Sequence, residues 1–199
     1  MKTPTLIHIL GNGPSLSLFN RNDWSEDDLF VGCNFSNPKL QPDYTVIMDA
    51  KPMIKLFEGY KLSIPAVISD RCKRLVEKEK GGWRKLPTDA INVIDTMPMI
   101  HPNGYKYPMN SGHHATLYAI EQNINTVKEV HLWGFDSFWT DDISSNSDIH
   151  FRGGKITTRP RKPVVNEWRM HWDKIFADHD QHINFIIETT NKNLTPTKA

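Results

Sequence analysis

The chain has 199 residues, enough for one well-buried core and short for two full domains, and its 24 Lys plus Arg against 23 Asp plus Glu create no field that would draw it to DNA, RNA or an anionic membrane. Cys33 and Cys72 stand in apolar or helical surroundings with no short-spaced partner, which argues against a disulfide scaffold and against a zinc site. The apolar stretch after Met1-Lys2-Thr3-Pro4 is too short for a signal-peptide core and no apolar run of about 18 residues occurs, so no membrane span is expected and the default location is cytoplasmic.

In chain order, the apolar run 5–10 predicts a buried strand that stops at Gly11-Asn12-Gly13-Pro14-Ser15. Runs 29–33 and 44–48 predict two more strands, the second followed by a helix over 51–58. A strand at 64–69 leads into a helix over 71–80, and one at 91–94 leads into a stretch, 96–110, with no clear period. A helix over 111–123 precedes a strand at 129–133, and a second aperiodic stretch, 139–162, precedes a long helix over 164–178. Val164, Val165, Trp168, Trp172, Ile175 and Phe176 form one apolar stripe on that helix. A strand at 183–187 closes the pattern, giving one domain over 1–190 and a loose tail over 191–199.

Strands alternating with helices predict an α/β domain with a Rossmann-like, doubly wound, mostly parallel sheet, and the unbroken apolar strands suit a sheet covered on both faces. Its ligand crevice should open beyond the carboxyl ends of the strands. The 139–162 stretch, punctuated by Gly153-Gly154, Pro160 and Pro163, is expected to be a lid-like loop.

The turn after the first strand is the first candidate site. Gly11 and Gly13 permit close backbone approach, Pro14 suits the first turn of a helix, and a helix N-terminus aimed at the crevice would offer free amides to an anion. There is no third glycine at the dinucleotide spacing and the second strand ends in Cys33-Asn34, with no acidic residue to grip a ribose, so NAD is disfavoured. The absence of Gly-Lys-Ser/Thr excludes a phosphate-loop NTPase. Asn34, Asp49 and Asn110-Ser111-Gly112 fall at the ends of separate elements. Each alone reads as a turn former or helix cap, and together they read as a binding rim. The candidate nucleotide-binding set is therefore Gly11, Asn12, Gly13, Ser15, Asn34, Asp49, Asn110, Ser111, Gly112, His113 and Asp136. Of the neighbours His113 and His114, one is expected to face the crevice and the other solvent, and as helix neighbours they make a poor zinc pair.

The ordered set Gly11-Asn12-Gly13-Pro14-Ser15, Cys33-Asn34, Asn110-Ser111-Gly112 and Leu132-Trp133-Gly134-Phe135-Asp136 resembles that of the bacterial sialyltransferases of glycosyltransferase family 42 and of the related proteins grouped as domain of unknown function 115. The resemblance implies a metal-independent transferase that moves a sugar from a nucleotide-activated donor, such as CMP-sialic acid, to a glycan acceptor, with Asn12, Asn34, Asp49, Asn110, Ser111 and Gly112 around the nucleotide. Asp49 stands where that family has an asparagine, and Phe138 and Trp139 stand where it has tyrosines near the leaving phosphate.

Sugar transfer needs a base for the acceptor hydroxyl and groups that stabilise the departing phosphate. By the resemblance the base is His150, in Asp148-Ile149-His150-Phe151-Arg152, with His171 in reserve. The same stretch carries Arg152, Lys155, Arg159, Arg161 and Lys162, of which Arg152 and Arg159 are the candidates for closing over phosphate. Asp178-His179-Asp180 matches the Asp-x-Asp of metal-dependent transferases but ends a helix, and Asp141-Asp142 is a second acidic candidate; no metal and no cofactor beyond the donor are expected. Two rival functions remain open at this point: the resemblance to the related uncharacterised group, which includes pterin pyrophosphokinases, also implies an Mg2+-dependent pyrophosphokinase that would use carboxylates such as Asp49, Asp136 and Asp141, and the third reading is a non-catalytic nucleotide or glycan module. Nucleic acid is not an expected partner; self-association into a homo-oligomer is left open.

Overall fold

Residues 3–35, 37–57, 59–77, 89–143, 159–160 and 162–189 are described by a computed structural model. The strands are β1 (Leu6–Leu10), β2 (Leu29–Cys33), β3 (Tyr44–Ile47), β4 (Leu62–Ser69), β5 (Ile91–Met97), β6 (Glu129–Trp133), β7 (Asp142–Ile143), β8 (Arg159–Pro160) and β9 (Asn184–Ile187), and the α-helices are α1 (Ala50–Phe57), α2 (Asp70–Glu77), α3 (Ser111–Gln122) and α4 (Lys162–His179). Seven strands make one sheet in the order β5-β4-β3-β2-β1-β6-β9, and every pairing in it is parallel. This is a Rossmann-like α/β architecture. β7 and β8 pair antiparallel to each other, so both edges of the stretch expected to be a loop carry strand.

The continuous apolar runs have a direct cause, because both faces of the central strands are covered. On one face Ile7, Ile9, Val31, Val46, Met48, Val130 and Leu132 pack against Ala115, Ala119 and Ile120 of α3 and Trp172 and Ile175 of α4. On the other, Ile47, Ile64, Ala66 and Ile68 pack against Met53 and Leu56 of α1 and Cys72 of α2. Beside them Leu10, Phe30 and Trp133 meet Leu16 and Phe19 from the 3-10 turn after β1. His8 lies within this aromatic layer, stacked on Phe30 and accepting a hydrogen bond at Nδ1 from Trp133 Nε1 at 3.2 Å. Cys33 and Cys72 are both free and buried. No described helix is long and apolar enough to cross a membrane.

The stretch after the fifth strand differs from expectation. β5 continues to Met97, and the rest is held by single hydrogen bonds: Tyr107 N donates to Glu167 Oε2 at 2.7 Å, His171 Nε2 to the Tyr107 carbonyl at 3.2 Å, Ile100 N to His114 Nε2 at 2.9 Å and Met109 N to the Ile100 carbonyl at 3.1 Å. Order of this kind leaves no periodicity in the sequence, because the contacts are made to separate partners on α3, on α4 and within the stretch itself.

The chain winds outward from β1 to β5 and returns to β6 on the other side of β1, so the strand order reverses between β1 and β6. Ligands in such sheets bind beyond the carboxyl ends at this reversal. The register pairs Leu10 with Gly32 on one side and with Trp133 on the other, which brings the turns that begin at Gly11 and Gly134 level with one another.

Candidate functional site

An open pocket lies at that reversal. It is lined by Gly11, Asn12 and Gly13 after β1, Cys33 and Asn34 at the end of β2, Asp49 after β3, Asn110, Ser111 and Gly112 at the start of α3, Gly134 to Ser137 after β6, and Trp168 of α4. Nine of the eleven residues expected to bind are among them. Ser15 and His113 are not.

The glycine turn is built differently from the expectation of free amides. Gly11 N donates to the Trp133 carbonyl at 2.7 Å, Gly13 N to the Gly134 carbonyl at 2.8 Å and Leu16 N to the Gly13 carbonyl at 3.1 Å. Ser15 donates to the Asp136 carboxylate twice, from its amide at 3.0 Å and its hydroxyl at 2.9 Å. These amides are therefore committed within the fold, and the helix they open is a 3-10 turn of five residues, Pro14–Leu18. The glycines answer to backbone approach: a Cβ on Gly11 would lie 2.7 Å from the Gly134 oxygen, and one on Gly13 would lie 2.6 Å from that oxygen and collide with the Asp136 carboxylate. Gly134 itself takes φ +74°, in the left-handed region that favours glycine. Asp136 is thus the clasp that joins the β6 turn to the β1 turn, and Ser15 serves the site from behind it.

Around this scaffold the polar tips converge. Asn34 adopts φ 55°, a left-handed conformation that asparagine tolerates better than most side chains. Its amide donates to the Val46 carbonyl at 2.8 Å and its carbonyl accepts from Thr45 Oγ1 at 2.6 Å, which holds the residue in place. Ser111 Oγ donates to Asn34 Oδ1 at 2.9 Å and accepts from Met48 N at 3.2 Å, tying the start of α3 to β2 and β3. Asn12 reaches across from the first turn, Nδ2 donating to the Cys33 carbonyl at 2.7 Å. Asn110 caps α3, its Oδ1 accepting from Gly112 N at 2.9 Å and His113 N at 3.1 Å.

His113 completes that cap from the other side. Its Nδ1 accepts from Asn110 N at 3.0 Å and its Nε2 donates to the Trp168 carbonyl at 3.0 Å. It is wholly buried, and burial pushes its pKa down to about 3, so the ring is neutral. His114 is also buried and points inward, Nδ1 donating to the Asn110 carbonyl at 2.9 Å. Burial lowers its pKa as well. The expectation of one ring toward the crevice and one toward solvent is therefore replaced by two inward rings that fasten α3 to α4 and to the 98–110 segment.

His171 is likewise buried on the Tyr107 carbonyl and does not line the pocket, so it is not placed to act as a base. Phe138 packs on Trp172 and Phe176, with Trp139 against it, and neither lines the pocket. Asp141 pairs with Arg169 at 3.2 Å, and Asp178 with Lys174 at 3.0 Å at the far end of α4. His150, Arg152, Lys155 and Arg161 lie outside the described residues; Arg159 falls in β8 and Lys162 is exposed at the start of α4.

Trp168 and Ser137 were not singled out from sequence as site residues. Trp168 belongs to the apolar stripe of α4, whose buried members are Val165, Trp172 and Ile175, and it is only partly buried because the first turns of α4 overhang the crevice. Arg169, next to it, donates Nε to the Ser137 carbonyl at 2.8 Å and so braces the β6 turn. No family model, no curated protein and no solved structure matches the chain.

Proposed function

We propose that the chain is a glycosyltransferase that takes a sugar from a nucleotide-activated donor, with a CMP-linked donor the first to test, and passes it to a glycan acceptor in the cytoplasm without a metal ion. The observation that carries this is the convergence of polar tips from five places in the chain, with Trp168 as a sixth wall, on one crevice at the reversal of strand order. In this reading Asn12, Asn34, Asn110 and Trp168 surround the nucleotide, His150 takes the acceptor proton, and Arg152 and Arg159 stabilise the leaving phosphate.

The magnesium-dependent pyrophosphokinase reading calls on Asp49, Asp136 and Asp141 acting together. Asp136 is engaged by Ser15 and Asp141 by Arg169, and of the three only Asp49 and Asp136 line the pocket, so sugar transfer is the better-supported reading. The test is a melting-temperature screen of nucleoside mono- and diphosphates with chelator present. CMP or another nucleotide should raise the melting temperature, and His150→Ala should keep that rise while losing turnover of the matching nucleotide sugar. A rise seen only with a pterin plus Mg2+ overturns the proposal.

A further inference from the structure

The partners of the three asparagines fix which atom of each amide is left for a ligand. Asn12 Nδ2 donates to a backbone carbonyl, Cys33 O, which only accepts, so the atom left over is Oδ1. Ser111 Oγ receives a proton from Met48 N and gives its own to Asn34 Oδ1, so Asn34 is left with Nδ2. Asn110 Oδ1 accepts from two amides, so Asn110 is also left with Nδ2. No further hydrogen bond is formed by these three atoms among the described residues. The pocket therefore holds one amide acceptor and two amide donors, each locked against flipping by its own anchor.

Most of the backbone amides that could hold a phosphate there are already spent, those of Asn12 and Ser111 excepted. The amides of Gly11, Gly13, Ser15 and Leu16 are committed to the turn, and those of Gly112 and His113 to the Asn110 cap. Two carboxylates, Asp49 and Asp136, line the pocket, and no Lys or Arg does among the described residues. A phosphate placed beside the Asp136 carboxylate would meet like charge. Base edges and ribose hydroxyls, which both donate and accept without charge, match the amide pattern.

We infer that this pocket reads the uncharged nucleoside part of the donor and that the phosphate lies outside the glycine turn, an inference that rests on the nucleotide reading above. Calorimetric titration of the full chain with cytidine, CMP and inorganic phosphate tests it, repeated with whichever nucleoside and monophosphate pair the screen selects. The nucleoside should bind within about tenfold of its monophosphate, and inorganic phosphate should not bind. Asn34→Asp keeps the acceptor for Ser111 and turns the pocket-side donor into an acceptor. It should weaken nucleoside and monophosphate by the same factor, about tenfold, as loss of one neutral hydrogen bond does.

A nucleoside that binds more than tenfold more weakly than its monophosphate overturns the inference, as does an Asn34→Asp loss about a hundredfold greater for the monophosphate, the signature of a new charge against phosphate. If Asn34→Asp does not fold, the wild-type comparison of the three ligands decides alone. Failure of every nucleoside and nucleotide to bind sinks the nucleotide reading itself, whereas binding of nucleotides without nucleosides sinks only this inference.

Discussion

Replacing Gly13 by alanine separates two explanations for the glycine turn, one in which the glycine makes room for a ligand and one in which it makes room for the rest of the fold. The new Cβ would sit 2.6 Å from the Gly134 carbonyl oxygen, which is backbone, and would collide with the Asp136 carboxylate, a side-chain end that two bonds from Ser15 hold in place. Relief requires the β1 and β6 turns to part. Overpacking of this kind costs about 1–3 kcal/mol, and weakening the two Ser15 bonds to a carboxylate adds about 1.5–3 kcal/mol. A loss of about 3–5 kcal/mol is expected when one movement does both, a large part of the stability of a typical domain. Gly104→Ala is the control: at φ +87° it suffers backbone strain of about 1–2 kcal/mol, yet its Cβ meets nothing within 4 Å. Urea unfolding without ligand, followed by tryptophan fluorescence, measures both variants. If Gly13→Ala is no less stable than Gly104→Ala, the clasp argument fails and the glycine must be there for a ligand.

Burial holds His113 and His8 near a pKa of about 3, against an ordinary value of 6.5. Between those values the unfolded chain binds protons that the native chain does not, so their stabilisation is full above about pH 6.5 and fades as pH falls toward 3, by up to about 1.4 kcal/mol per pH unit for each ring. Urea midpoints followed from neutral pH downward should show this slope, and His113→Gln should reduce it; an unchanged slope would refute the buried neutral ring. Burial also pushes the Cys33 thiol up to about 12 and raises that of Cys72. Neither thiol should react with a disulfide reagent in native protein at mildly alkaline pH, while both should react in urea, and fast native labelling would contradict the burial of Cys33 at the pocket floor.

The parts of the fold legible in the sequence are those set by local pattern. Runs such as 29–33 and 129–133 read correctly as buried strands because both faces of the sheet are covered, and the stripe through Val165, Trp172 and Ile175 located α4 because only one face of that helix meets the core. The pocket residues were reachable for a related reason: in a parallel sheet all carboxyl ends lie at one edge, so polar residues just after strands are gathered whatever the strand order. What the sequence could not show are the partners that spend those residues. The Gly11 and Gly13 amides meet carbonyls more than 100 residues away, at Trp133 and Gly134, and nothing in the local turn announces them. The same holds for His113, whose neighbours in sequence suggest a helix start and whose partner, the Trp168 carbonyl, lies on another helix.

The three asparagines show why these two halves belong together. Each spends one side-chain atom on the fold and leaves the other for the pocket, so Asn12, Asn34 and Asn110 are at once turn or cap residues and candidate ligand contacts. Weighing a structural role against a binding role for such a residue sets up a false alternative, because the structural bond is what aims the remaining atom. It follows that alanine replacements at these positions would confound folding with binding. Aspartate at Asn34 or Asn110 keeps the anchored oxygen and changes the pocket-side donor into a charged acceptor. At Asn12 the anchor is the amide nitrogen, so there the same change removes the bond to Cys33 as well and reports mainly on the turn.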